Sequence, residues 1–128
     1  MDTAKFATAI TCIDGRVQVP VIDYMKAQYS VDYVDLVTES GPVGVIVEHR
    51  DLPAIDAIKR RVDVSKMRHG SKILALVAHH DCAANQITRE AQIEQLRTAI
   101  SQHMNWWGFW ETLTALWVDE TWRVIKII

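Results

Sequence analysis

Residues 73–78 (ILALVA) constrain the fold more than any other stretch: they are an almost unbroken apolar run of strand length, leading directly into His79-His80-Asp81-Cys82. A strand wetted on one face alternates apolar with polar residues, whereas a strand covered on both faces does not. The run therefore calls for helices above and below it and for strands beside it. Residues 6–12 (FATAITC) read as a buried first strand that stops at the turn signal Asp14-Gly15. Residues 31–37 read as a second, with Tyr33, Val34, Leu36 and Val37, closed by Ser40-Gly41-Pro42. Residues 113–118 form a fourth, and Asp119-Glu120 turns the chain into a short fifth, 122–127, paired antiparallel.

Helical spacing lies between these strands. Pro20 suits the first turn of a helix of about ten residues, with Val21, Tyr24 and Met25 on one face. Asp51 and Pro53 open a second helix that carries Ile55, Ile58 and Val62 and stops at His69-Gly70. Thr88 caps a third, with Ile93, Leu96, Ile100 and Met104 on one face. Residues 45–47 show no assignable pattern. The alternation predicts a single domain over residues 1–128 with an α/β fold in three layers. Its mainly parallel sheet has four to five strands in the order 2-1-3-4, an antiparallel fifth beyond strand four, and helices on both faces. Strands one and three are then neighbours with diverging exit loops, and ligands of open α/β sheets bind in such a crevice.

Composition excludes several classes of function. With 14 Lys and Arg against 16 Asp and Glu, a net charge of -2 gives no attraction to nucleic acid. No apolar run approaches the roughly 20 residues of a membrane span, and the N-terminus lacks the pattern of a secretory signal, so the expected compartment is the cytoplasm. Two cysteines are too few for a disulfide scaffold, and no C-x-x-C motif suggests dithiol redox work.

Those cysteines fall at the predicted crevice, Cys12 at the end of the first strand and Cys82 just after the third, beside His79. Each taken alone reads as a small buried hydrophobe. Together with His79, spaced from Cys82 as a short chelating loop, they form a borderline-soft donor set suited to zinc, with a fourth position left for water or substrate. Asp14 and Arg16 follow Cys12 on the same loop. They read either as an exposed turn ion pair worth about 0–1 kcal/mol, or as a carboxylate held by a guanidinium beside the metal. Such an Asp could accept a hydrogen bond there, or swing in as a fourth ligand.

Cys12-Ile13-Asp14-Gly15-Arg16 resembles the C-x-D-x-R signature of the β-class carbonic anhydrases, and His79-His80-Asp81-Cys82 resembles their H-x-x-C. The motifs occur in the family's order, and the resemblance spans nearly the whole chain. It implies zinc held by Cys12, His79 and Cys82, a catalytic dyad of Asp14 and Arg16, and a lyase that reversibly hydrates carbon dioxide to bicarbonate and a proton. His80 or His49 could carry that proton away, although each also reads as an exposed or structurally satisfied histidine. Family members usually carry an N-terminal arm that supplies a glutamine to the substrate pocket. With eleven residues before Cys12, neither is expected here. The family's Gly-rich turn is represented by residues 38–42 (TESGP), and the glycines usual after the second cysteine by Ala83-Ala84. The metal set thus matches more closely than the substrate pocket. Two other readings stay open: a zinc hydrolase of carbon disulfide or carbonyl sulfide on the same fold, and a silent zinc-binding module in which Asp14 ligates permanently.

Five tryptophans, Trp106, Trp107, Trp110, Trp117 and Trp122, fall in the last quarter of the chain. The density at 106, 107 and 110 predicts an exposed aromatic patch and a homodimer or higher homo-oligomer, with core packing as the alternative.

Overall fold

The computed structural model describes residues 4–104 and 107–128. Its five strands are β1 (Phe6–Cys12), β2 (Tyr33–Glu39), β3 (Ile73–His79), β4 (Thr112–Val118) and β5 (Val124–Lys126). They form one sheet in the order β2-β1-β3-β4-β5, parallel throughout except for the antiparallel β4–β5 pair. The helices are α1 (Gly15–Tyr29), α2 (Pro42–Glu48), α3 (Leu52–His69) and α4 (Arg89–Thr98), the last running on into a π-helical turn, Ala99–His103.

Two apolar clusters show the three layers. On one face of the sheet, Val17, Val21 and Met25 of α1 pack on Ala7, Ala9, Ala75, Val77, Leu116 and Val118. On the other, residues of α2, α3 and α4, among them Ile46, Ile58 and Leu96, cover Ile10, Leu74, Leu76, Ala115 and Trp117. Successive strand side chains point to opposite faces, so the unbroken apolar runs of β1 and β3 feed both clusters. A buried chain of hydroxyls fastens α3 to the sheet. Thr8 Oγ1 lies 2.6 Å from Ser65 Oγ and donates to Ser71 Oγ, while Ser65 Oγ donates to Asp35 Oδ2 at 2.6 Å.

The sequence reading needs four corrections of extent. Pro20 lies inside α1, not in its first turn, because Asp14 accepts the Arg16 N–H and starts the helix five residues earlier. Proline lacks the N–H that would bond the Arg16 carbonyl, so the interior position omits one rung of the helix. Residues 45–47 belong to α2, whose buried Pro42, Val43, Gly44 and Ile46 leave no polar face from which a helical period could be read. Strand β5 is shorter than 122–127 because Trp122 turns into the left-handed region at φ 62°. Finally, Trp107 and Trp110 are buried in the chain's own core and do not form an exposed patch. The Trp110 indole N–H donates to the Trp107 carbonyl at 3.2 Å, and Lys66 lies 5.0 Å over the Trp110 ring. Trp106 lies outside the described residues. Among those residues no helix is long and apolar enough to cross a membrane.

Candidate metal centre

Strands β1 and β3 pair only from Thr8 to Ile10 against Leu74 to Leu76, although both continue beyond. Their carboxyl ends therefore part, and Cys12 and His79, the last residues of each, stand at the opening. After His80 the chain turns through Asp81 in a left-handed conformation (φ 58°), which aspartate tolerates better than most residues, and this brings Cys82 back to the opening. The donor atoms of Cys12, His79 and Cys82 all lie within 4.8 Å of one another, and all three residues are buried. The two sulfurs are 4.0 Å apart.

Hydrogen bonding settles which histidine nitrogen faces the sulfurs. His79 Nδ1 lies 2.7 Å from the His80 carbonyl oxygen. A carbonyl only accepts, so Nδ1 carries the proton and donates it, and the neutral ring keeps its lone pair on Nε2. That Nε2 is buried and makes no hydrogen bond. Thr11 Oγ1 and Trp117 Nε1 are the other buried, unpaired side-chain polar atoms among the described residues, and neither belongs to this cluster. An unpaired imidazole nitrogen facing two thiols, with its other nitrogen fixed by a carbonyl, is the arrangement a metal-ligating histidine needs.

The two thiols also shift each other in opposite directions. The Cys82 thiol beside it, then His79 and the backbone N–H groups of Gly41 and Asp14, outweigh burial and push the Cys12 thiol far below its usual range. The same neighbour, now Cys12, together with burial, pushes Cys82 well up. A divalent ion would ionise both sulfurs, since a coordinated thiol gives up its proton. Burial works against the His79 imidazolium, but Cys12, the His80 carbonyl and Asp14 together raise it above its ordinary value. Two sulfurs and one nitrogen in a buried pocket fit zinc better than magnesium or calcium, which take oxygen donors.

Asp14 and Arg16 form more than a loose turn pair. Asp14 Oδ1 accepts from the Arg16 backbone N–H at 2.9 Å and from Nε at 3.0 Å, while Oδ2 accepts from Nη2 at 2.7 Å. Arg16 holds the Asp14 carboxyl down at about 2, against the smaller opposing effect of burial. Oδ2 lies 4.0 Å from His79 Nε2, so the carboxylate borders the cluster while Arg16 grips it. Cys12, His79 and Cys82 share a cavity of about 10 Å³ with the apolar Pro42, Val43 and Val77 and the polar Asn85 and Gln92, about the space one water occupies.

All five residues expected at the site from sequence stand together. His80 is exposed beside the cluster but outside it. His49 caps α2 and pairs with His103, its ring 5.4 Å away. Sequence reasoning missed three contributors. Gln92, 3% exposed, lines the cavity and donates from Nε2 to the His79 carbonyl at 3.1 Å; its only signal is a polar residue one turn before Leu96 in the buried stripe of α4. Asp81 accepts from Arg16 Nη1 at 3.3 Å, and its carbonyl accepts from Nη2 at 3.2 Å. Trp122 lies over the Arg16 guanidinium, 4.5 Å from carbon to ring centroid.

No curated protein matches the chain. Residues 2–128 match the family described as "Putative carbonic anhydrase". With its whole described fold inside that match, and a buried Cys-His-Cys cluster at the parting of two parallel strands, the chain belongs to this carbonic anhydrase family.

Proposed function

We propose that the protein is a zinc enzyme that reversibly hydrates carbon dioxide to bicarbonate, with Cys12, His79 and Cys82 as the zinc ligands. The observation that carries this reading is the unpaired His79 Nε2 facing two thiols, with an ionised carboxylate 4.0 Å away. Zinc held by Cys12, His79 and Cys82 would acidify a water and so supply a nucleophile at neutral pH. The remaining work falls to the chain. The His80 carbonyl fixes the imidazole tautomer. Asp14, ionised across the physiological range, can only accept hydrogen bonds, so it orients a proton-bearing nucleophile and discriminates against groups with no proton to give. Arg16 occupies both Asp14 oxygens, which opposes a swing of the carboxylate into the metal's coordination sphere and favours an open site over the silent module. Pro42, Val43 and Val77 give a small apolar substrate a dry wall.

The test is a stopped-flow pH-indicator assay on zinc-loaded protein. Carbon dioxide hydration is expected in the wild type. Cys82→Ala should abolish it with loss of zinc, and Asp14→Asn should lower it about 100-fold with zinc retained, the scale of one lost electrostatic contact to the reacting group. Sulfide release from carbon disulfide without any carbon dioxide hydration would overturn the assignment of substrate. Full activity in Asp14→Asn would overturn the role of the carboxylate.

A further inference from the structure

Trp122 sits in a conformation that the metal cluster itself does not require. Its left-handed backbone, φ 62°, is one that bulky residues adopt only where the surroundings impose it. Here the imposition comes from one carboxylate at the β4–β5 connection. Asp119 Oδ1 accepts from the Thr121 N–H at 2.9 Å, the Thr121 hydroxyl at 2.7 Å and the Arg123 N–H at 3.0 Å. The Trp122 N–H donates to the Asp119 carbonyl at 2.9 Å, and the Asp119 N–H to the Arg123 carbonyl at 3.0 Å. The loop is thereby closed on itself, and the indole is delivered across the end of the sheet onto α1.

Its landing place is the face of Arg16. The guanidinium meets Asp14 through Nε and Nη2, and Asp81 through Nη1 and Nη2. These contacts lie at its edge and leave its faces unsupported. The Trp122 ring, 4.5 Å away, covers one face, and the His80 ring packs edge-on to Trp122 with centroids 6.3 Å apart. Stacking on a ring quadrupole resists the out-of-plane movement that edge contacts permit.

We propose that Trp122 is a positioning residue, whose ring holds the Arg16 guanidinium in the plane that fixes Asp14 beside the metal cluster. The proposal rests on the reading above in which Asp14 serves the reaction. It assigns the C-terminal hairpin a part in the site, since the ring reaches Arg16 only because Asp119 folds the loop.

The rival role, apolar cover for α1, is separable by substitution. Trp122→Leu keeps an apolar side chain without a π face, Trp122→Phe keeps a π face, and Trp122→Gly suits the left-handed backbone and removes the side chain. The zinc-loaded proteins are compared by the NMR resonance and water exchange of the Arg16 Nε–H, by bound zinc and by carbon dioxide hydration. Expected are a shifted, faster-exchanging Nε–H in Leu and Gly, wild-type zinc in all three, and kcat/KM lowered about two- to fivefold in Leu and Gly, matching one half-exposed cation–π contact. Phe should restore both readouts. An Arg16 resonance unmoved in Leu and Gly, or a Phe variant that behaves as Leu does, would overturn the proposal. Absence of hydration in the wild type would instead sink the proposed reaction, and the Arg16 resonance would still decide the role of Trp122.

Discussion

At the scale of single residues, the position of one proton organises the site. His79 Nδ1–H donates a hydrogen bond to the His80 carbonyl, so Nε2 is left with its lone pair free beside Cys12 and Cys82. Asp14 adds a measurable electrostatic signature. Its folded pKa, about 2, lies below the ordinary 3.8. The folded state therefore binds the proton less well than the unfolded chain does. The resulting stabilisation is complete above about pH 4 and disappears as pH falls toward 2. Allowing for solvent screening of the half-exposed Arg16, it should amount to about 1 kcal/mol. Urea unfolding of wild type and Asp14→Asn, with a chelator present so that metal release does not enter, should show a gap that is constant above pH 4 and closes in acid. A gap independent of pH would contradict the ion pair. The residues that carry this chemistry were legible because cysteine, histidine and a short-range Asp-x-Arg pattern advertise themselves. Gln92 and Trp122 were not, since nothing local in the sequence tells a glutamine on a buried stripe, or a tryptophan in a hairpin, which distant backbone or guanidinium it will meet.

At the scale of elements, the loop that follows Cys82 and α2 fit together through a missing side chain. Gly41 adopts φ 56°, and a Cβ placed there would stand 3.1 Å from the Ala84 carbonyl oxygen and 3.2 Å from its carbon and Cβ. Ala83-Ala84 follows Cys82, and Gly41 provides the space on the opposing side. Its backbone N–H also serves the Cys12 sulfur. Gly41→Ala should therefore cost about 1–2 kcal/mol from the left-handed backbone alone, roughly 5 °C in Tm for a chain of this size, and should weaken zinc uptake as well. Gly15→Ala is the control: nothing lies within 4 Å of its Cβ position, and its Tm should stay near that of the wild type. Equal Tm values for the two variants would contradict this account. The same scale explains the missed helix. In α2, a short helix of seven residues with Pro42, Val43, Gly44 and Ile46 buried carries neither period, whereas α3 announces itself by Asp51 accepting the Ala54 N–H, by Ile55, Ile58 and Val62, and by Gly70 at its end. Pro20 misled because proline marks a helix start only when no better cap precedes it, and Asp14 does.

At the scale of the molecule, the order of the strands converts a linear sequence into a site. Cys12 and Cys82 are separated by almost seventy residues, yet a parallel sheet that places β3 beside β1 brings the end of β1 and the loop after β3 together. That topology was readable from the alternation of elements, and with it the location of the crevice. The fate of the tryptophans was not, because counting aromatic residues does not reveal how much interior a sheet and three helices enclose. Trp107 and Trp110 fill that interior. The central claim is the donor set at the crevice, and zinc-edge X-ray absorption on the loaded protein tests it most directly. The account predicts two sulfurs at about 2.3 Å, one imidazole nitrogen at about 2.0 Å and one further light-atom donor, with one sulfur lost from any zinc still held by Cys82→Ala. A wild-type protein that takes up no zinc, or a zinc shell without sulfur, would contradict it.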